Sequence, residues 1–186
     1  LMMSSLFMAT ISLTVYGPIL MYIIFGAKPL IAGYIIALES LGWTVVAIST
    51  SGVSERIESL LIRLGAVFVS SSMLGLIYAM PAGPLWLIAL LATGMGMGFG
   101  MSWSFVSKRV IDNVPEAERT QASASIPTFL RVSMALGSAL SGIIANFSGF
   151  SEDSSVAVAQ NVAFWCFAAF IPLMLVGLVT AWRVSR

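Results

Sequence analysis

The sequence predicts an all-α integral membrane protein with six transmembrane helices. Of its 186 residues, 59% are hydrophobic and 9% are charged, and the mean hydropathy is +0.99. Soluble domains carry roughly 25% charged residues, so this composition is typical of a membrane protein. The apolar residues form long continuous runs, each able to cross the hydrocarbon core as a helix of about 20 residues. Such runs exclude a membrane β-barrel, whose strands alternate over about ten residues.

Six apolar windows follow one another along the chain, and the segments between them hold most of the charges. They lie at about 2–25, 29–51, 60–80, 84–106, 121–147 and 158–182. We expect residues 1–186 to form a single six-helix membrane domain. Because Leu1 already belongs to an apolar window, we also expect this domain to be a fragment of a longer protein.

The basic residues predict the orientation. One side of the membrane receives Arg56, Arg63, Lys108, Arg109, Arg119, Arg183 and Arg186. The other side receives Lys28, and its longest loop is acidic through Glu152 and Asp153. Because basic residues are enriched in cytoplasmic loops, we expect the 52–59 and 107–120 loops and both termini to be cytoplasmic.

Composition also excludes several function classes. The net charge is +1 with no basic cluster beside aromatic residues, so nucleic acid is not an expected partner. The chain has no histidine, which removes histidine-based catalytic triads, histidine-ligated metals and imidazole proton shuttles. The single cysteine, Cys166, lies in an apolar run and is interpreted as a small core residue. We therefore expect no enzyme activity, no metal and no cofactor.

The first predicted helix contains Pro18. Proline removes one backbone hydrogen bond and bends a helix, which is tolerated in a membrane where neighbouring groups satisfy the freed carbonyl. The bend could serve as a gate or simply as a packing feature, and the sequence leaves both open.

The second predicted helix carries one full charge, Glu39, near its middle. At 1.5 Å per residue, Glu39 lies about ten residues, or ~15 Å, below the end at Pro29. Arg131 in the fifth predicted helix lies about eleven residues, or ~16 Å, from the opposite surface. Both fall near the midplane of a core about 30 Å thick. An ionised side chain there costs about 2.5 to 3.5 kcal/mol even on lenient scales, so both residues are candidate functional groups.

Three interpretations of these two charges are open. Glu39 and Arg131 could form a structural ion pair, worth roughly 4 kcal/mol before desolvation at an effective dielectric near 20. Glu39 could instead bind a proton, or Arg131 could bind an anionic group of a substrate. Trp43 lies one turn after Glu39 on the same helix face, where it could stack on a hydrophobic compound or pack against a neighbouring helix.

Small residues mark the fourth and fifth predicted helices as closely packed. A glycine-rich nucleotide loop follows a strand, whereas these glycines lie inside apolar windows, so a nucleotide site is rejected. Small residues four apart let another helix backbone approach closely. The residues concerned are Gly94, Gly96, Gly98 and Gly100 in the fourth helix, and Pro127, Gly137 and Gly142 in the fifth.

The turn between the second and third helices resembles the signature loop of the major facilitator superfamily. In that family a small residue is followed by an acid and an arginine at the end of the second helix of each half. Here Glu55 and Arg56 match the acid and the arginine, with Ser51 at the usual glycine position and Gly52 after it. The second part of the signature, a glycine with two basic residues, is missing.

Two further stretches carry the resemblance, which extends over essentially the whole chain. They are Glu39-Ser40-Leu41-Gly42-Trp43-Thr44, and Pro115-Glu116-Ala117-Glu118-Arg119 before a small-residue helix with Arg131. The chain is thus similar to the C-terminal six-helix half of a major facilitator transporter, nearest to the drug/proton antiporters. The resemblance implies two inverted three-helix repeats, at about 1–81 and 82–186, although these show no convincing similarity to each other.

The resemblance implies that the first and fourth helices line a central cavity and that the second and fifth face the other half. It implies a secondary active transporter of the bacterial inner membrane, exporting small, often hydrophobic compounds in exchange for protons by alternating access. The partners would be the lipid bilayer, a small-molecule substrate, protons, and a missing N-terminal half or a second copy. Two alternatives are a non-transporting membrane subunit or assembly factor, and a half-transporter that dimerises.

Overall fold

The computed structural model describes residues 1–150 and 155–185. Regular structure in this part of the chain is entirely helical, with a short 3-10 helix, Glu116–Glu118, before the fifth span. The α-helices are α1 (Met2–Phe25), α2 (Pro29–Ser49), α3 (Glu55–Ala82), α4 (Leu85–Asp112), α5 (Arg119–Phe147), α6 (Val156–Ala168) and α7 (Ile171–Val184). Glu152, Asp153 and Arg186, used above for the orientation, lie outside the described residues.

Six helical stretches among the described residues are long and apolar enough to cross a membrane. The predicted all-α, six-helix membrane architecture is therefore confirmed. The sixth stretch, Val156–Val184, is divided into α6 and α7, whereas its sequence window looks like one uninterrupted run. Pro172 stands at the start of α7, where its missing N–H costs least, because the first N–H groups of a helix have no partner within it.

The third and fourth helices extend beyond their apolar windows at one end of the bundle. α3 and α4 each contain 28 residues, about 42 Å at 1.5 Å per residue, which exceeds a core of about 30 Å. The additional turns are charged, and Glu55 and Glu58 occupy the first turn of α3, where acidic side chains favour the helix dipole. We call the end where α3 begins and α4 ends the basic end.

Helix α4 lies directly against α2 through glycine. Adding a Cβ atom at Gly96 would make it overlap the backbone carbonyl of Glu39, and a Cβ at Gly100 would lie 2.5 Å from the carbonyl oxygen of Trp43. The two backbones are thus in contact, with no side chain of α4 between them at these positions. In a membrane, where lipid tails are as apolar as side chains, such packing is a main source of helix association.

A second glycine face of α4 contacts α3. A Cβ at Gly98 would lie 2.6 Å from the carbonyl oxygen of Gly65, and one at Gly94 would lie 2.9 Å from the hydroxyl of Ser72. The two pairs of glycines therefore serve different neighbours, and α4 is held between α2 and α3.

Helices α1 and α5 form another close contact. A Cβ at Gly137 would lie 2.8 Å from the carbonyl oxygen of Met8. One turn along, the hydroxyls of Ser12 and Ser141 lie 2.7 Å apart in a fully buried site. Ser141 donates to the carbonyl of Gly137, so Ser12 is the donor between the two hydroxyls.

The remaining helix-packing candidates lie farther along α1 and α5. A Cβ at Gly142 would lie 3.6 Å from the hydroxyl oxygen of Tyr16 on α1, an ordinary van der Waals distance. Gly142 is therefore less tightly packed than Gly137. Both helices continue through their prolines, Pro18 and Pro127.

Gly96→Ala is expected to destabilise the bundle because its methyl group would collide with the backbone of α2. Overpacking typically costs 1–3 kcal/mol, so about that loss should appear as a lower unfolding temperature in detergent. Gly33→Ala is the matched control: Gly33 is an exposed residue of α2 with nothing within 4 Å of the added atom. Equal stability of the two variants would contradict the close contact.

Candidate functional site

Glu39 lies at the middle of α2, partly buried. Its backbone rests on Gly96 of α4. Within residues 1–150 and 155–185, its carboxylate has neither an ion-pair nor a hydrogen-bond partner. The packing of its backbone thus positions Glu39 in the membrane, and its carboxylate is left available to bind a proton or another group.

Arg131 does not meet Glu39. Its side chain is exposed on α5, and α5 packs mainly on α1 whereas α2 packs mainly on α4. The ion-pair interpretation is therefore not realised in this structure. Matching depth along the membrane normal fixes only one coordinate, and it does not determine which helices are neighbours.

Trp43 belongs to a four-ring group that joins three helices, which we call the aromatic cluster: Phe7 of α1, Trp43 of α2, and Phe99 and Trp103 of α4. Phe7 and Phe99 stack with ring centroids 4.3 Å apart. Trp43 lies 5.6 Å from Phe99 and 6.1 Å from Trp103, measured between centroids. Of these rings, only Trp43 was singled out from the sequence, because phenylalanines inside apolar windows carry no distinguishing signal.

A cavity of about 1020 Å³ opens at the basic end. We call it the basic-end cavity. One part of its lining is charged and the other apolar. The charged residues are Glu55, Arg56, Glu58, Lys108, Arg109, Asp112 and Arg183, and the apolar ones include Trp103, Val106, Ile126, Phe129 and Leu130. The cavity can therefore accept a compound with both polar and apolar groups.

The loop that resembles a family signature leads into this cavity. Gly52 has φ +82°, in the left-handed region that favours glycine. Ser51 donates its hydroxyl hydrogen bond to the carbonyl of Ile48, 2.8 Å away. Glu55 and Arg56 start α3 as exposed residues on the cavity wall.

At the basic end, an ion pair is formed by Glu58 and not by Glu39. The ammonium of Lys108 donates to Glu58 Oε1 at 2.9 Å, which ties α4 to α3. Glu58 is only 7% exposed, so its carboxylate depends on this cation for compensation. The pair was not predicted from the sequence, although opposite charges at adjoining ends of consecutive antiparallel spans are a usable signal.

Two arginines extend this polar network to the last helix. Arg109 donates to the hydroxyl of Ser59, 2.7 Å away, and to the carbonyl of Val184. Arg63 donates to the hydroxyl of Ser185 at 2.6 Å. The network therefore joins the basic ends of α3, α4 and α7.

Two curated relatives are similar to this chain. Both are named probable multidrug-efflux transporter, one from Mycobacterium tuberculosis strain CDC 1551 / Oshkosh and one from strain ATCC 25618 / H37Rv. Each is 27% identical over an alignment of 164 positions, and the alignment covers 85% of this chain and 33% of the relative. The chain thus spans about a third of the length of these relatives. No protein-family model matches the chain, and no solved structure matches it at a significant level.

Lys108→Met is expected to lower the unfolding temperature because it leaves the carboxylate of Glu58 without its cation. Adding Glu58→Gln should recover part of the loss, since the uncompensated charge is then removed. Lys28→Met, which removes an exposed lysine that forms no ion pair among the described residues, is the matched control. Equal losses for the two lysine variants, or no recovery in the double variant, would argue against the pair.

Proposed function

We propose that this chain is the C-terminal six-helix half of a major facilitator transporter that exports small hydrophobic compounds in exchange for protons. The observation that carries the proposal is Glu39, an acid at the middle of a membrane-spanning helix with no partner among the described residues. Support comes from the similarity to two proteins named probable multidrug-efflux transporter and from the signature-like turn at Glu55 and Arg56.

A lone carboxyl group in the membrane suits a proton-coupling role. Its ionised form costs about 2.5 to 3.5 kcal/mol at the bilayer centre, whereas its protonated form is neutral. Such a group can alternate between a neutral form that holds a proton and an ionised form that contacts a substrate or cation. Arg131, exposed on α5, remains a candidate for contact with an anionic group or with the other half.

The basic-end cavity is the proposed route for the substrate. Its volume of about 1020 Å³ is at the upper end of the roughly 300–1,000 Å³ found for ligand pockets. Its apolar lining favours hydrophobic compounds, and Trp103 offers an aromatic surface at its inner end. We assign this end to the cytoplasm of a bacterial cell, because basic residues gather there.

The exposed faces of α2 and α5 support a second six-helix half as the partner. Within an apolar 18-residue window of each span, only 22% of the residues are buried in these two helices, against 39% to 50% in the other four spans. The two least buried helices are thus the ones that, by the family resemblance, would face the other half.

The division of this chain into two inverted repeats is part of the same proposal.

Glu39→Gln is expected to abolish proton coupling, because an amide cannot exchange a proton. In proteoliposomes with an imposed pH gradient, transport of a hydrophobic fluorescent dye should fall to the rate seen without a gradient. Glu116→Gln, in the exposed 3-10 helix, is the control and should transport normally. Full gradient-driven transport by Glu39→Gln would refute the proton-coupling role.

The intact mass of the native polypeptide tests the proposed half. We expect a mass of at least about twice the 19.8 kDa of this chain, measured on protein extracted from its source membrane. A native product of 19.8 kDa would instead favour six helices that work alone or as a dimer.

A further inference from the structure

Glu39 and the basic-end cavity lie on opposite sides of the aromatic cluster. Along the contact between α2 and α4, Gly96 faces Glu39 and Gly100 faces Trp43. Because both residue numbers rise together, the two helices are parallel and run toward the basic end in the same register. Trp43 is therefore one turn, about 6 Å, closer to the cavity than Glu39.

The cavity ends at the cluster. Trp103 lines the cavity, whereas Phe7, Trp43 and Phe99 do not, and no described residue of α2 contributes to the lining. Since Trp103 is one turn beyond Phe99 on α4, the order along the bundle axis is Glu39, then the other three rings, then Trp103, then the cavity. Along this axis, the rings therefore lie between the cavity and Glu39.

The two phenylalanine rings of the cluster are buried and closely stacked, whereas Trp43 and Trp103 are partly exposed. The planes of Phe7 and Phe99 are within 12° of parallel, and these side chains are 8% and 0% exposed. The edge of Phe7 also meets Trp103 at 88°, with centroids 6.2 Å apart. Stacked and edge-to-face contacts at such distances are favourable in themselves, and the two phenylalanine rings offer no polar group to hold a water.

We propose that the aromatic cluster is a closed hydrophobic barrier that separates Glu39 from the basic-end cavity in this conformation. Displacement of Trp103 and Phe7 would open the path between them. The inference rests on the proposed function and deepens it, because it states how access to the same carboxyl group is controlled. The barrier can be tested by measuring how readily a water-soluble reagent reaches position 39, and this measurement does not require transport.

The barrier can be tested by cysteine accessibility in membrane vesicles that contain the native polypeptide. Cys166→Ala removes the cysteine of this chain, and Glu39→Cys then reports access beyond the cluster. Ser125→Cys, on the cavity lining, is the reference and also shows from which side the cavity opens. The probe is a membrane-impermeant maleimide applied to that side.

We expect Glu39→Cys to react about a hundredfold more slowly than Ser125→Cys, as for a barrier open about 1% of the time. Trp103→Ala should raise the rate at position 39 by at least about tenfold, by increasing the open fraction. Trp86→Ala is the matched control, since Trp86 is an exposed tryptophan near the opposite end of α4. It should leave the rate unchanged.

Equal rates at positions 39 and 125 would overturn the barrier. So would slow labelling at position 39 that Trp103→Ala does not accelerate, because the obstruction would then lie elsewhere. If Trp103→Ala does not accumulate in the membrane, Phe7→Leu removes another ring of the cluster, with the same expected rise and the same overturning result.

The two proposals can fail separately. Slow labelling of Glu39→Cys that Trp103→Ala relieves, while the unaltered protein moves no dye, would support the barrier and refute the proposed transport. Gradient-driven transport by the unaltered protein, together with rapid labelling of Glu39→Cys in the intact cluster, would refute the barrier and leave the proposed function standing.

Discussion

The direct contact of the α4 backbone with its neighbours is the constraint on which the rest of the structure depends. Gly96 and Gly100 bring α4 against α2, and Gly98 brings it against α3. Lipid tails give helices no hydrophobic reason to associate, so close packing and hydrogen bonds must supply the attraction. This contact sets the register of α2, and with it the positions of Glu39 and Trp43.

The candidate functional features are arranged, in consequence of that register, as successive layers along the bundle axis. The carboxyl of Glu39 comes first, the aromatic cluster next, and the basic-end cavity last. Around the cavity, Lys108 pairs with Glu58 and Arg109 reaches the end of α7. The polar network thus holds three helix ends together where water is available. Deeper in the bundle, aromatic and glycine packing replaces it, because polar groups there are costly unless paired.

The architecture could be predicted from the sequence because each span is a continuous apolar run, and Glu39 stood out as the only full charge of its run. One of the three interpretations, an ion pair between Glu39 and Arg131, is not seen in the described residues, because counting residues gives depth but not which helices adjoin. Phe7 and Phe99 could not be recognised, since an apolar ring in an apolar window looks like any packing residue. The break before Pro172 was also missed, because composition alone does not distinguish one helix from two.

The proposed role of Glu39 is to exchange its proton when a substrate binds. The most direct test is to add a hydrophobic substrate dye to the purified protein in weakly buffered detergent solution and to record the pH. We expect proton release on binding by the unaltered protein and none by Glu39→Gln. Dye binding without proton release, or equal release by both proteins, would contradict the claim.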